Sequence, residues 1–193
     1  MDRRAEKSCD KKMEDLSLHI LDIMENSVDA QAKRIEVRID EDTDRDIMIL
    51  EIIDDGKGMD DQMLQKAMDP FFTTRKTRRF GLGLSMISES AKATGGELTV
   101  ESAPGKGTHV KAIFHQSHID MKPIGNIPQT LLTLLVGRPE IELNYSHTIG
   151  RETFSFDTRE IQDLPIGSPK ALRLISEHIQ DGIDRLIRSA KDS

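Results

Sequence analysis

One side chain that can bind a metal ion and one that can orient water lie one helical turn apart in the run DIMENSVDA at residues 22–30. Asn26 offers an amide oxygen, a ligand type that Mg²⁺ accepts. Asp22 offers a carboxylate that can orient water. Residues four apart share one face of a helix, so both groups can reach the same ion. A solvated polar helix face has the same pattern, and the run alone does not decide between the two interpretations.

A second candidate run, DDGKGM, occupies residues 54–59 directly after an apolar stretch. A carboxylate at a strand end, here Asp54, can accept a hydrogen bond from an exocyclic amine such as that of adenine. Gly56 and Gly58 lack a Cβ, which lets the backbone approach a flat base closely. An ordinary Asp-Gly turn is the alternative interpretation of this run taken by itself.

Two glycine-containing runs complete the set: FGLGLSM at residues 80–86 and GKGTH at residues 105–109. Glycines at the beginning of a helix expose backbone N–H groups toward phosphate. The preceding loop contains four basic residues between positions 75 and 79 that could meet a terminal phosphate. The Thr108 hydroxyl could bind a phosphate or a water at the base, although the run alone is only a β-turn.

Hydrophobic periodicity predicts the elements that position these runs. Helices are predicted from Leu16, over 60–68, from Leu82 to the glycine pair at 95–96, within 123–137 and over 169–190. Strands are predicted at 35–39, 47–53, 97–101, 109–114, 141–147 and 153–157.

In this order and spacing the four runs resemble the GHKL superfamily of gyrase B, heat-shock chaperone ATPases, histidine kinases and MutL. The segment ENSVDAQAKRIEVRIDED is similar to MutL. The segments PFFTTR and FGLGLSMISESAKATGGELTVESAPGKGT are similar to the ATP-binding domain of histidine kinases. The resemblance covers about 100 of the 193 residues.

The resemblance implies an α+β fold, a two-layer α/β sandwich of the Bergerat type that holds ATP and Mg²⁺. It implies that Asn26 coordinates Mg²⁺ and that Asp54 binds the adenine amine. It further implies a base pocket shaped by Gly56, Gly58 and Met59, a phosphate loop of Gly81, Leu82, Gly83 and Leu84, and support from Thr108. Asp22 is the candidate catalytic residue.

Three positions depart from the family pattern. Hydrolytic members usually carry Glu where Asp22 stands, so this carboxylate reaches one methylene less. Kinases often place a basic residue three positions after the Mg²⁺ ligand, whereas this chain has Asp29. Arg79 and Phe80 replace the first pair of the usual GTGLGL run, so closure of the phosphate loop can differ.

The sequence divides into a leader at 1–15, an ATP-binding domain at 16–117 and a C-terminal α/β extension of unknown role at 118–193. None of the six His residues is followed by Asp or Glu, and with about 15 residues before the domain we expect no phosphoacceptor hairpin there. The sequence therefore predicts a stand-alone kinase-like subunit acting on a separate protein partner. A slow MutL- or gyrase-like ATPase and a non-catalytic adenine-nucleotide sensor are the alternatives.

Composition limits the remaining choices. Charged residues make up 32% of the chain and the net charge is −7, which argues against a nucleic-acid scaffold. No apolar run approaches the roughly 20 residues needed to span a bilayer, and Cys9 is the single cysteine, so no disulfide framework exists. We expect a cytoplasmic protein without membrane contact. The apolar stripe of the last predicted helix either packs on the rest of the chain or forms a surface for a homodimer or another partner.

Overall fold

A computed structural model describes residues 15–68, 83–161 and 168–191 of the chain. They form two layers, a six-stranded sheet with helices packed on one of its faces. The α+β class expected from the sequence is confirmed.

The helices and strands begin and end close to the predicted positions. The helices are α1 (Leu16–Asp29), α2 (Asp61–Ala67), α3 (Gly83–Ala93), α4 (Ile127–Gly137) and α5 (Pro169–Lys191). The strands are β1 (Arg34–Asp42), β2 (Ile47–Asp54), β3 (Glu97–Ser102), β4 (Thr108–His115), β5 (Glu142–Ile149) and β6 (Glu152–Asp157). One turn of 3₁₀ helix, Thr158–Ile161, follows β6.

Helix α1 forms where a cap and an apolar stripe coincide. Asp15 caps it by accepting the N–H of Leu18 at 3.3 Å. Ile20 and Met24, four residues apart, are completely buried. Asn26, beside this stripe, stays partly exposed and lines a cavity together with the buried Ile23 and Ser27.

The sheet has the order β3-β4-β2-β1-β5-β6. All neighbouring strands are antiparallel except β1 and β5, which run parallel with Ile35 opposite Leu143. The predicted C-terminal hairpin is therefore β5–β6, and its strands continue the sheet of the ATP-binding segment.

Every second residue of β1, β2, β4 and β5 is buried on the face that the helices cover. Helix α1 contacts α3 on one side and α4 on the other, and α4 contacts α5. Most of the predicted apolar stripe of α5 packs inward: Ile175, Ile179, Ile183 and Leu186 are buried, whereas Leu172 is half-buried and Ile187 is 37% exposed. None of the described helices combines the length and apolar character that crossing a bilayer requires.

Candidate functional site

A cavity of about 490 Å³ opens between α1, α2, the start of α3 and the ends of β2 and β4. This volume lies within the range of small-molecule sites. Its wall brings together six of the residues predicted for the site: Asn26, Asp54, Gly58, Met59, Leu84 and Thr108. These positions are spread over more than 80 residues of sequence, and the fold assembles them around one space.

Asp54 is a buried carboxylate in this wall and is fixed by two hydrogen bonds. It is the last residue of β2 and only 9% exposed. Ser27 Oγ donates to Asp54 Oδ2 at 2.7 Å, and the Gly56 N–H donates to Oδ1 at 2.8 Å. Each carboxylate oxygen has a further lone pair, so Asp54 is held in place while it keeps accepting capacity toward the cavity. Gly56 thus acts on the base pocket through Asp54.

Two glycines let the run at 54–59 touch the turn between β3 and β4. Gly58 has a φ of 66°, and a Cβ there would collide with the carbonyl of Ala103. Gly107 has a φ of 75°, and a Cβ there would collide with the carbonyl of Asp54. The Gly105 N–H donates to the Lys57 carbonyl at 2.7 Å. The two segments therefore form one wall, and this close approach requires glycine.

Ser102, the last residue of β3, is connected to this wall by the hydrogen bonds of its hydroxyl. Its Oγ accepts the Met59 N–H at 2.8 Å and donates to the Gly107 carbonyl at 2.9 Å. The same Oγ lies 3.1 Å from Thr108 Oγ1. One hydroxyl therefore connects three positions that shape the cavity.

Asp55 anchors the wall to the beginning of β1. Its Oδ1 accepts the N–H groups of Lys33 at 2.7 Å and Arg34 at 2.9 Å. Burial alone would raise the pKa of Asp55, but these hydrogen bonds to the charged form and the nearby Arg34 guanidinium together lower it. Asp55 thus serves the structure of the loop, whereas Asp54 faces the cavity.

The described wall of the cavity carries more negative than positive charge. Its charged residues are Asp29, Asp54 and Asp60 against Lys57, a formal sum of −2. A triphosphate would meet repulsion there unless a cation accompanied it. The basic residues predicted to meet the phosphates, at 75–79, lie outside the described residues, as do Gly81 and Leu82.

Asp22 occupies a different place from Asn26. It is half-buried one turn earlier on α1, and Gly83 packs directly against it. A Cβ on Gly83 would lie 3.0 Å from Asp22 Cβ and 3.6 Å from its Oδ2. Among the described residues that line the cavity, Asn26 is present and Asp22 is not. The structure therefore places Asp22 at the contact between α1 and α3.

Sequence analysis missed two residues of the site, Ser27 and Ser102. Ser27 had a usable signal, because it continues the buried stripe of α1 that Ile20, Ile23 and Met24 begin. A hydroxyl in such a stripe needs a buried partner, and Asp54 is that partner. Ser102 had no comparable signal, since its partners depend on how the β3–β4 turn folds back.

With fold and cavity established, comparison with known proteins identifies the class. Residues 12–118 match the family described as histidine kinase-, DNA gyrase B-, and HSP90-like ATPase. This match covers more than half of the chain, and the chain belongs to that family. The predicted GHKL resemblance is confirmed, and the family supports ATP binding by this domain.

Individual relatives match over shorter stretches. A putative sensor protein of Shewanella frigidimarina is 43% identical over 77 residues, 39% of this chain and 12% of that protein. The sensor kinase CckA of Brucella abortus is 39% identical over 84 residues, 43% of this chain and 9% of that protein. An anti-sigma F factor of Thermoanaerobacter is 46% identical over 63 residues, 32% of this chain and 40% of that protein. The chain thus spans less than half the length of each of these relatives.

Proposed function

We propose that this protein binds Mg²⁺ with an adenine nucleotide and acts as a kinase-like subunit on a separate protein partner. The observation that carries the proposal is the convergence of Asn26, Asp54, Met59 and Thr108 on one cavity of about 490 Å³. The buried carboxylate of Asp54 is fixed by two hydrogen bonds and suits the 6-amine of adenine. Ile23, Met59 and Val110 supply apolar wall for the base.

The donor set of the cavity fits Mg²⁺ rather than a metal with a complete protein cage. Among the described residues no group of three or more His, Cys, Asp or Glu side chains could hold a metal ion. Mg²⁺ usually takes one or two protein oxygens and fills its remaining positions with water and phosphate. Asn26 offers one amide oxygen at the cavity wall. When bound, the ion would neutralise phosphate charge beside the acidic wall.

The proposal of a protein partner rests on the relatives. Two of them are named as a sensor kinase and an anti-sigma F factor, and both fall within the family whose matched region holds the cavity. We infer that nucleotide binding here serves an interaction with another protein. Phosphoryl transfer would require an acceptor on that partner, because the sequence offers no His-Asp or His-Glu pair.

Slow ATP hydrolysis is a second candidate, motivated by the Asp22 carboxylate, which lies near the proposed Mg²⁺ ligand although it is not among the described residues that line the cavity. This carboxylate lies one turn from Asn26 and against the first residue of α3. A general base must come within about 2.6–3.2 Å of the water it activates. The short Asp side chain then predicts turnover well below about 10 s⁻¹. Asp22→Glu should raise the rate, and Asp22→Asn should abolish it while ATP still binds.

One labelling experiment separates these functions. The purified protein is incubated with Mg²⁺ and γ-labelled ATP, with and without cell extract, and free phosphate and labelled proteins are measured. A labelled partner supports the kinase-like subunit, and released phosphate that depends on Asp22 supports the ATPase. ATP binding with neither product indicates a nucleotide sensor. Asp54→Asn should lower product formation at ATP concentrations below saturation, because it weakens ATP binding. Asp40→Asn, which changes an exposed strand carboxylate outside the cavity wall, is the matched control and should leave product formation unchanged.

A further inference from the structure

The hydroxyl of Ser102 determines in which direction the hydroxyl of Thr108 can donate. A serine hydroxyl has one proton and two lone pairs. The Ser102 proton goes to the Gly107 carbonyl at 2.9 Å, and one lone pair accepts the Met59 N–H at 2.8 Å. Only the second lone pair remains for Thr108 Oγ1 at 3.1 Å. Thr108 must therefore be the donor in that contact.

This direction has a consequence on the cavity side. With its proton committed to Ser102, Thr108 Oγ1 can offer the cavity only lone pairs. Thr108 stands opposite Asp54 in the register of β2 and β4, and both residues line the cavity. Asp54, as a carboxylate, is likewise an acceptor. The end of the cavity that these residues share thus has two acceptors side by side.

We propose that Ser102 is a positioning residue for base selectivity. By holding the Thr108 hydroxyl in the accepting orientation, it makes the Asp54–Thr108 pair favour a purine with an amine at position 6. A purine with a carbonyl at position 6 would place its oxygen lone pairs against those of Asp54 and Thr108. This contact is repulsive and would weaken binding. This inference rests on the proposed nucleotide site and adds to it the residue that sets the polarity of Thr108.

The test compares two nucleotides that differ in the chemistry at position 6, ATP with its amine and ITP with its carbonyl. Their dissociation constants are measured by calorimetry in Mg²⁺ for the wild type, Ser102→Ala and Ser102→Thr. In Ser102→Ala the Thr108 hydroxyl is free to turn its proton toward the base, so the ITP/ATP ratio of dissociation constants should fall about three- to tenfold. Ser102→Thr keeps a hydroxyl and should restore the ratio. Ser155→Ala, an exposed serine in β6, controls for loss of a strand hydroxyl and should leave the ratio unchanged.

A double-mutant cycle with Thr108→Val shows whether Ser102 acts through Thr108. Valine has the shape of threonine without the hydroxyl, so in this background Ser102→Ala should no longer change the ratio. This arm also covers the possibility that Ser102→Ala folds poorly, because Thr108→Val alone should lower the ratio. The proposal is overturned if Ser102→Ala weakens ATP and ITP equally, or if it changes the ratio as much in the Thr108→Val background as in the wild type. A wild type that binds neither nucleotide would instead refute the proposed function.

Discussion

Two carboxylates mark opposite ends of the sheet, Asp54 at the end of β2 and Glu41 near the end of β1. Asp54 pairs in register with Ile35, six residues before Glu41 on the same strand, a separation of about 20 Å. Both carboxylates lie on the face covered by helices, and each has a hydroxyl-bearing side chain in its hydrogen-bond network. They differ in what they face.

In the Glu41 cluster, formed by Glu41, Gln116, His147 and Tyr145, the polar groups bind one another. Glu41 Oε1 accepts His147 Nε2–H at 2.7 Å, and its Oε2 accepts from Gln116 at 2.6 Å. His147 Nδ1 lies 3.0 Å from the hydroxyl of Tyr145, which is completely buried. Burial, and secondarily the charge of Glu41, raises the pKa of Tyr145, so its phenol stays protonated and can donate to the ring. This cluster joins β1 to β5 and holds the C-terminal hairpin.

The Asp54 cluster likewise joins a carboxylate to a hydroxyl-bearing side chain, but it is open on one side. Its hydrogen bonds to Ser27 and Gly56 fix the carboxylate and leave lone pairs toward a cavity. A buried carboxylate is therefore not a functional signal by itself. What distinguishes the candidate site is accepting capacity that the protein itself does not use.

The first prediction breaks the closed cluster. His147→Ala should lower the free energy of unfolding by about 3–5 kcal/mol, because it removes a packed ring and takes the shared partner away from the buried Tyr145 and the partly buried Glu41. Urea denaturation followed by circular dichroism measures this loss. The affinity for ATP should stay within about twofold, since the cavity is distant. A loss of ATP affinity as large as the loss of stability would show that the two clusters are not independent.

The second prediction breaks the open cluster. Asp54→Asn should weaken ATP binding by about 1.5–3 kcal/mol, the range for a hydrogen bond to a charged group. Asn keeps the size of the side chain, so the unfolding free energy should change much less. Calorimetric titration with ATP and GTP gives the affinities. Equal affinity of the wild type for ATP and GTP would contradict the role of Asp54 in base recognition.

The third prediction separates the metal from the base. Asn26→Ala should remove most of the Mg²⁺ dependence of ATP affinity, because the amide oxygen is the proposed protein ligand. The fold should persist, since Asn26 is partly exposed and belongs to the polar side of α1. ATP titrations with Mg²⁺ and with EDTA measure the dependence. If the variant retains the full Mg²⁺ effect, the ligand lies elsewhere.

The fourth prediction, with the smallest expected effect, concerns the loss of folding stability at low pH. Arg159, through its side-chain hydrogen bonds to Asp157, holds the pKa of that carboxyl well below its usual range, even though partial burial opposes the shift. A carboxyl with a depressed folded-state pKa contributes stability that is present above its unfolded pKa near 3.8 and is lost as pH falls through the folded value. Stability should therefore decline as pH falls below about 4. In Asp157→Asn this part of the decline should be missing, as thermal melting between about pH 5 and pH 2 would reveal.

The order and type of the elements could be predicted from sequence because local signals agreed. The apolar stripe of α1, the alternation of β1 and the apolar run of β2 indicated a helix and two strands, and the structure confirms these elements. The glycines at 58 and 107 stood out in the sequence, but the structure supplies the reason for them: both adopt positive φ where two distant segments come into close backbone contact. The convergence of Asn26, Asp54 and Thr108 followed from the family resemblance rather than from spacing.

Long-range pairings could not be predicted in the same way. The pattern of β1 is the same whether the strand lies at the edge of a sheet or in its interior, so nothing local indicated that β5 would pair with it. His147 and Tyr145 appeared as isolated polar and aromatic residues, and only their pairing with β1 brings them to Glu41. Ser102 is hidden for the same reason, because its hydrogen bonds depend on the turn that follows it.

The parallel pairing of β1 with β5 also imposes an order of events during synthesis. Residue 35 leaves the ribosome more than 100 residues before its neighbour at 143. Until then, the outer edge of β1 exposes backbone N–H and C=O groups that another chain can bind. Such a distant contact also slows closure of the sheet. Glu36, Arg38 and Asp40 alternate along this strand. Their charges discourage pairing with another chain until β5 has been synthesised.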